Sequence, residues 1–198
     1  GYEWDGWMRQ DLPHITKPGM DILDIGGNIG WNALMFSDYG PVHTFEPMYH
    51  TVASKNATQN TTRYPVTVHP FGLSDSKQSR PIFMPKRALG GQCNYGGTTL
   101  TPPDMANYQE TGHVIQLERL DDVYHGTPSF IKLDVELHEL EVIKGAWDTI
   151  TRHKPSMYIE ILDPKNDEIT PLLKSIGYTN IVERPEHNYL FVSPHICN

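Results

Sequence analysis

The stretch DIGGNIGWNALMF, from Asp24 to Phe36, constrains the chain more than any other. An apolar run ends near an acid, the backbone passes three glycines, and apolar residues then recur at helical spacing. Gly26 and Gly30 permit a sharp turn and a close backbone approach with no Cβ in the way. A strand that turns through glycine into a helix is the first half of a βαβ unit, and such units build parallel sheets covered on both faces. The same alternation continues along the chain. Periodicity predicts strands over 21–25, 42–46, 66–71, 130–134 and 157–162, with helices over 31–38, 49–60 and 168–176. Leu137, Leu140, Ile143, Trp147 and Ile150 predict one further helix with a core-facing stripe. Short strands over 178–182 and 188–192, separated by Arg184-Pro185, close the chain as a hairpin. The expected architecture is α/β: one Rossmann-like domain over 1–198, with a seven-stranded, mostly parallel sheet and a terminal antiparallel hairpin.

Two segments break this rhythm. Residues 1–20 carry Trp4, Trp7 and Met8 and read as a short amphipathic helix or lid, because terminal apolar residues must dock somewhere. Between 76 and 118 the periodicity fades while Pro81, Pro85, Gly90, Gly91, Gly96, Gly97, Pro102 and Pro103 accumulate. That span is too long for a plain connection, so short strands and a substrate-side insertion loop are expected. With 38 % hydrophobic and 20 % charged residues, the chain has the composition of a globular protein. Its formal charge of −8 and the lack of any Lys/Arg cluster disfavour a nucleic-acid partner. No apolar run is long enough to cross a bilayer, nothing resembles a signal peptide, and no membrane partner is expected. Cys93 and Cys197 stand far apart and suggest neither a disulfide framework nor a metal knuckle, so a reducing cytoplasmic setting is the default. A chain that starts at Gly1 rather than Met fits one domain of a longer protein as readily as a whole one.

The chemistry of the turn selects the ligand. Ligands of open parallel sheets sit at the carboxyl ends of the strands, where the winding reverses. The spacing Asp24-x-Gly26-x-Asn28-x-Gly30 is not the GxGxxG that brings a pyrophosphate onto a helix N-terminus. A carboxylate at Asp24 repels phosphate and suits a cationic ligand. S-adenosylmethionine has an ammonium and a sulfonium, and no phosphate. Glu46 ends the second strand about where a carboxylate accepts from ribose hydroxyls. After the third strand comes Gly72-Leu73-Ser74-Asp75, read as a turn. There Ser74 and Asp75 join the cofactor set, with Asp75 placed to accept from an adenine amino group and Phe71 or Leu73 against the ring.

The ordered set DIGGNIGWNAL, VHTFEP, GLSD, NYGGTTL, LDD and FIKLDVELHELEVIKGA resembles the FkbM-type methyltransferases, class I S-adenosylmethionine-dependent enzymes. The resemblance runs over about 21–161. It implies a methyltransferase version of the Rossmann-like fold and methylation of hydroxyl oxygens, mainly on sugars and natural-product scaffolds. It places Asp24, Gly26, Asn28, Gly30, Glu46 and Asp75 on cofactor-binding positions. It also places Asn94, Gly96 and Gly97 in a glycine-containing loop near the substrate. One departure stands out. The family usually reads acid-Val-Glu-Gly-Ala/Ser-Glu after the fourth strand, whereas this chain has Asp134-Val-Glu136-Leu137-His138-Glu139.

Methyl transfer is an in-line displacement in which alignment does most of the work. A sugar hydroxyl still benefits from losing its proton, to a side-chain base or through a divalent metal. Asp134 and Glu160 end neighbouring strands with Asp163 just beyond, a hard oxygen set that suits Mg²⁺ or Mn²⁺. His138 is the sharper candidate base by its ordinary pKa, against a solvated and idle place on a first helical turn. Asp134 also belongs to the catalytic set, as does Glu136, which either positions substrate or caps the helix it precedes. Lys132, in an interior strand, needs a strand-end acid as partner. Trp31 reads as core. Transfer to nitrogen of a protein or base, NAD-dependent dehydrogenation and a non-catalytic nucleotide-binding module are the competing readings. LDVE stands where base-methylating enzymes carry Asp/Asn-Pro-Pro-aromatic, and the glycine spacing argues against NAD. The expected acceptor is a glycan or another small polyol.

Overall fold

The computed structural model describes residues 6–86, 96–164 and 167–196. A 3-10 turn (Gly6–Gln10) and α1 (Leu12–Ile15) precede β1 (Asp21–Ile25), α2 (Trp31–Phe36), β2 (Val42–Phe45), α3 (His50–Gln59) and β3 (Val66–His69). Next come β4 (Gly72–Leu73), β5 (Gln78–Pro85), β6 (Tyr108–Glu118) and α4 (Leu120–Val123). The chain returns to the main sheet with β7 (Pro128–Leu133), α5 (Glu139–Gly145), α6 (Trp147–His153) and β8 (Ser156–Glu160). It ends with α7 (Ile169–Ser175), β9 (Ile181–Glu183) and β10 (Asn188–Phe191).

The seven-stranded sheet has the order β3-β2-β1-β7-β8-β10-β9, parallel except for β10, which runs antiparallel to both neighbours. The winding reverses between β1 and β7, and there the strands are apolar on both sides: Ile22, Leu23, Phe130 and Ile131 are all buried. One face packs Leu23, Ile25, Phe45, Leu133 and Ile159 against Leu120, Val142, Ile143, Ile150 and Leu173. The other packs Ile22, Val42, Phe130, Tyr158 and Leu190 against Ala33, Met35 and Phe36 of α2 and against Met8, Leu12 and Ile15. In-register pairing sets Asp24 beside both Thr44 and Lys132, which brings the polar strand ends into one line.

One of two alternatives is selected and three expectations are corrected. The N-terminal segment, read as a short helix or a lid, is helical in its described part and packs into the core. Trp7 meets Tyr158 edge-on at 5.1 Å, and Asp11 accepts from the Arg184 guanidinium at 2.8 and 2.9 Å and from the Tyr158 hydroxyl. Trp4 lies outside the described residues. The insertion holds a long antiparallel ribbon, β5 against β6, instead of short strands. Gly72 and Leu73, read as part of a turn, form β4 and pair with Leu117 and Glu118. Ile82, Leu100, Ile115 and Leu117 make a small core of its own there, with Met48 against it. The single long helix is divided at Ala146. Gly145 presses on the turn after β4, where a Cβ would fall 1.9 Å from the Ser74 carbonyl oxygen. Asp121 then accepts from the Asp148 and Thr149 N–H groups at 3.0 and 2.9 Å and starts α6 afresh. No helix among the described residues is long and apolar enough to cross a membrane.

Candidate active site

A cavity of about 530 Å³ opens at the carboxyl ends of the sheet strands, within the usual size range for small-molecule sites. Gly26, Asn28 and Glu46 line one end. Gly26 has φ +86° and lies so close to β7 that a Cβ would stand 1.7 Å from the Asp134 carbonyl oxygen. Asn28 also takes a left-handed conformation, φ +47°, tolerable for asparagine. Its N–H donates to Glu46 Oε2 at 2.9 Å, while Oε1 accepts from the Met48 and Tyr49 N–H groups at 2.7 and 2.9 Å. Burial raises the Glu46 pKa, and the three backbone donors oppose that rise. Leu73, Ile82, Leu100, Ile115 and Leu117 form the apolar wall.

Most other residues assigned to cofactor and substrate stand back from the cavity lining. Asp24 is fully buried beneath the turn, where Oδ2 accepts from the Thr44 hydroxyl at 3.1 Å. Its Oδ1 has no hydrogen-bond partner among the described residues. Burial lifts its pKa to about 6 against the pull of Lys132. Gly30 precedes α2 at φ +83° and packs on Ala53. Ser74 is buried, and Asp75 is exposed and accepts from the Ser76 hydroxyl at 2.8 Å. Gly96 lines the cavity, Gly97 is buried outside the lining, and Asn94 lies outside the described residues.

At the far end stand Lys132, Asp134, Glu136, Glu160 and Asn188, and His138 also lines the cavity. Lys132 donates to Asp134 Oδ2 at 2.7 Å. After Val135 the backbone turns left-handed twice in succession, at Glu136 (φ +55°) and Leu137 (φ +72°). Leu137 is thus strained where the resembled motif has glycine. The turn is held from the insertion by the Thr99 hydroxyl, which donates to the Glu136 carbonyl at 2.5 Å. One carboxylate oxygen each from Asp134, Glu136 and Glu160 lies within 4.8 Å of the others. Burial, then the Asp134 and Glu139 charges, lifts the Glu136 pKa to about 7. Burial, then Asp134, Glu136 and Glu139, lifts Glu160 to about 9. Glu139 is itself raised to about 7 by burial and accepts from the Val135 N–H at 3.0 Å.

His138 is buried rather than solvated, with Nε2 3.0 Å from the Ser74 hydroxyl and Nδ1 3.7 Å from Glu141. Burial lowers its pKa, so the ring is neutral at neutral pH. His138 itself occupies the position before α5, and its side chain makes no capping bond to that helix. Asp163 is exposed and lines a separate depression, so Glu136 stands where Asp163 was expected beside Asp134 and Glu160. Trp31 is 48 % exposed at the cavity rather than in the core. Thr99, Glu186 and Asn188 went unread as site residues. Of these only Thr99 had a sequence signal, its place in NYGGTTL.

The strand order with its reversed β10, and the polar cluster at the switch point, define a Rossmann-like methyltransferase. The chain belongs to the FkbM methyltransferase family: the Methyltransferase FkbM domain matches residues 24–179. Its relatives include the hexuronic acid methyltransferase AglP of Haloferax volcanii, 32 % identical over 181 residues, covering 87 % of this chain and 69 % of that protein. Methyltransferase 1 of Beauveria bassiana is 29 % identical, over 83 % of this chain and 74 % of the relative. Among solved structures, methyltransferase FkbM of Methylobacillus flagellatus superposes with a TM-score of 0.61 at 18 % identity, over 92 % of this chain. The chain spans 50 % of that structure's length. Precorrin-6y C5,15-methyltransferase of Geobacter metallireducens shares the fold at a TM-score of 0.53 and 14 % identity. Membership of this family implies S-adenosylmethionine as the methyl donor.

Proposed function

We propose that the protein transfers a methyl group from S-adenosylmethionine to a hydroxyl of a sugar or similar small polyol. The observation that carries this reading is the division of one cavity into two unlike ends. The glycine turn, Glu46 and the apolar wall suit a nucleoside with a cationic tail. The wall accepts a flat base, and Glu46 keeps acceptor capacity after its three backbone bonds. Lys132 is the one Lys or Arg among the described lining residues, and Asp134 pairs with it, which leaves little to hold a pyrophosphate. Bound there, S-adenosylmethionine supplies an electrophilic methyl carried on a sulfonium.

The other end receives the acceptor. Asp134 and Glu136 orient its hydroxyl by accepting hydrogen bonds. His138, neutral because it is buried, takes the proton as the oxygen gains the methyl group and the donor leaves as a thioether. A divalent cation held by the carboxylates is the further device for acidifying that hydroxyl. A hexuronic acid methyltransferase among the relatives supports a sugar as the acceptor. The acceptor-rich, donor-poor lining favours a ligand that brings its own O–H donors.

Thermal unfolding with S-adenosylhomocysteine, S-adenosylmethionine or NAD tests the donor. Stabilisation by the first two is expected, and stabilisation by NAD alone would overturn the reading. Mass spectrometry of a sugar library incubated with protein and labelled donor identifies the acceptor. Label on peptide or nucleobase nitrogen, with none on sugars, would replace the acceptor class.

A further inference from the structure

We infer that Asp134, Glu136, Glu160 and Asn188 together form a binding site for one hard divalent cation, Mg²⁺ or Mn²⁺, at the acceptor end of the cavity. The inference rests on the methyl-transfer reading and deepens it. Clustered carboxylates alone would not establish such a site, and the independent observation is Asn188. It faces Glu160 directly across the antiparallel β8–β10 pair, so the two side chains rise from the same face of the sheet. Asn188 is only 6 % exposed. Its Nδ2 donates to the carbonyls of Pro185 and Glu186 at 3.3 and 3.1 Å, which fixes the amide orientation. Oδ1 therefore turns the other way, buried and without a hydrogen-bond partner among the described residues, in a side chain that lines the cavity. Glu160 Oε2 is in the same condition.

Acceptor oxygens that lack donors call for a cation or for the O–H groups of a ligand. Charge decides between them. Three carboxylates against the single Lys132 ammonium leave two negative charges when all are ionised, the complement of one dication. The spacing agrees: around an octahedral ion with bonds of about 2.1 Å, adjacent ligands stand about 3 Å apart and opposed ones about 4.2 Å. The three carboxylate oxygens fall within 4.8 Å of one another. An all-oxygen set selects Mg²⁺ or Mn²⁺ over zinc. Such an ion would orient the acceptor hydroxyl and ease its proton toward His138.

The test is Mn²⁺ binding to the chelator-stripped protein, followed by loss of the free-ion electron paramagnetic resonance signal. Thermal unfolding with and without S-adenosylhomocysteine runs alongside. One Mn²⁺ per chain is expected to bind and raise the Tm. Asn188→Leu and Glu160→Gln should each weaken it about tenfold or more. Asn188→Asp, which restores an oxygen ligand, should keep or tighten it. If Asn188→Leu fails to fold, Glu160→Gln and Asn188→Asp still decide the question. Absence of Mn²⁺ binding to the natural sequence, or binding indifferent to these changes, overturns the cation site. A retained response to S-adenosylhomocysteine would then leave the methyl-transfer reading standing, and loss of that response as well would remove both.

Discussion

Glu46 and Glu160 occupy matching places, each an acid at the carboxyl end of a parallel strand and each turned to the same cavity, yet the chain treats them in opposite ways. Burial raises the pKa of both. Glu46 is met by three backbone N–H donors, so its charge is settled by the local fold before any ligand arrives. Glu160 meets Asp134, Glu136 and Glu139 instead, and one of its oxygens has no partner among the described residues. The Glu46 end is preorganised by the backbone, while at the other end burial and neighbouring acids keep a proton on Glu160.

The sharpest way to break this contrast is Glu46→Ala. Three N–H groups lose their acceptor, and a loss of roughly 3 kcal/mol in urea unfolding is expected, together with loss of stabilisation by S-adenosylhomocysteine. Unchanged stability would mean that the N–H cage does not hold the turn. At the other end His138→Ala should lower kcat by on the order of 10²-fold while donor affinity, measured calorimetrically, stays. Loss of both would make His138 structural.

A smaller effect separates the two acids by pH. The folded-state pKa of Glu160, about 9, lies above its ordinary 4.5. Its contribution to stability is therefore full below pH ~4.5 and is lost as pH rises through ~9. In chelator, the Tm should fall across that window, and Glu160→Gln should flatten the slope by on the order of 1 kcal/mol. An equally steep slope in the variant would place the titration elsewhere. His69 and His138, both lowered by burial, act with the opposite sign, and only below about their ordinary 6.5. The smallest expected change is Leu137→Gly. It relieves a left-handed leucine but adds chain entropy, so a net gain of about 1 kcal/mol or less is expected by chemical denaturation. Destabilisation would show that Leu137's packing outweighs its backbone strain.

The same contrast governs how much the sequence disclosed. The parallel sheet was legible because its central strands are apolar runs ended by a polar residue or a glycine, as at Leu133-Asp134, Phe45-Glu46 and Ile25-Gly26. Glu46 was legible for that reason too. The break at Ala146 was not, since the apolar stripe continues across it and only the approach of the Ser74 turn divides the helix. Glu136 as third carboxylate beside Asp134 and Glu160 depends on two left-handed residues that nothing in Glu-Leu announces. Asn188 depends on the register of an antiparallel strand that returns from the far edge of the sheet. Donor-end features are local in sequence, whereas acceptor-end features arise from residues that only tertiary structure brings together.

The Thr99 hydroxyl bond to the Glu136 carbonyl ties the insertion's fate to the aim of one acid. A graft that exchanged 76–118 for another family member's segment would keep the glycine turn and Glu46 but replace most of the apolar wall and misdirect Glu136. Acceptor preference, turnover and donor affinity would then drift together.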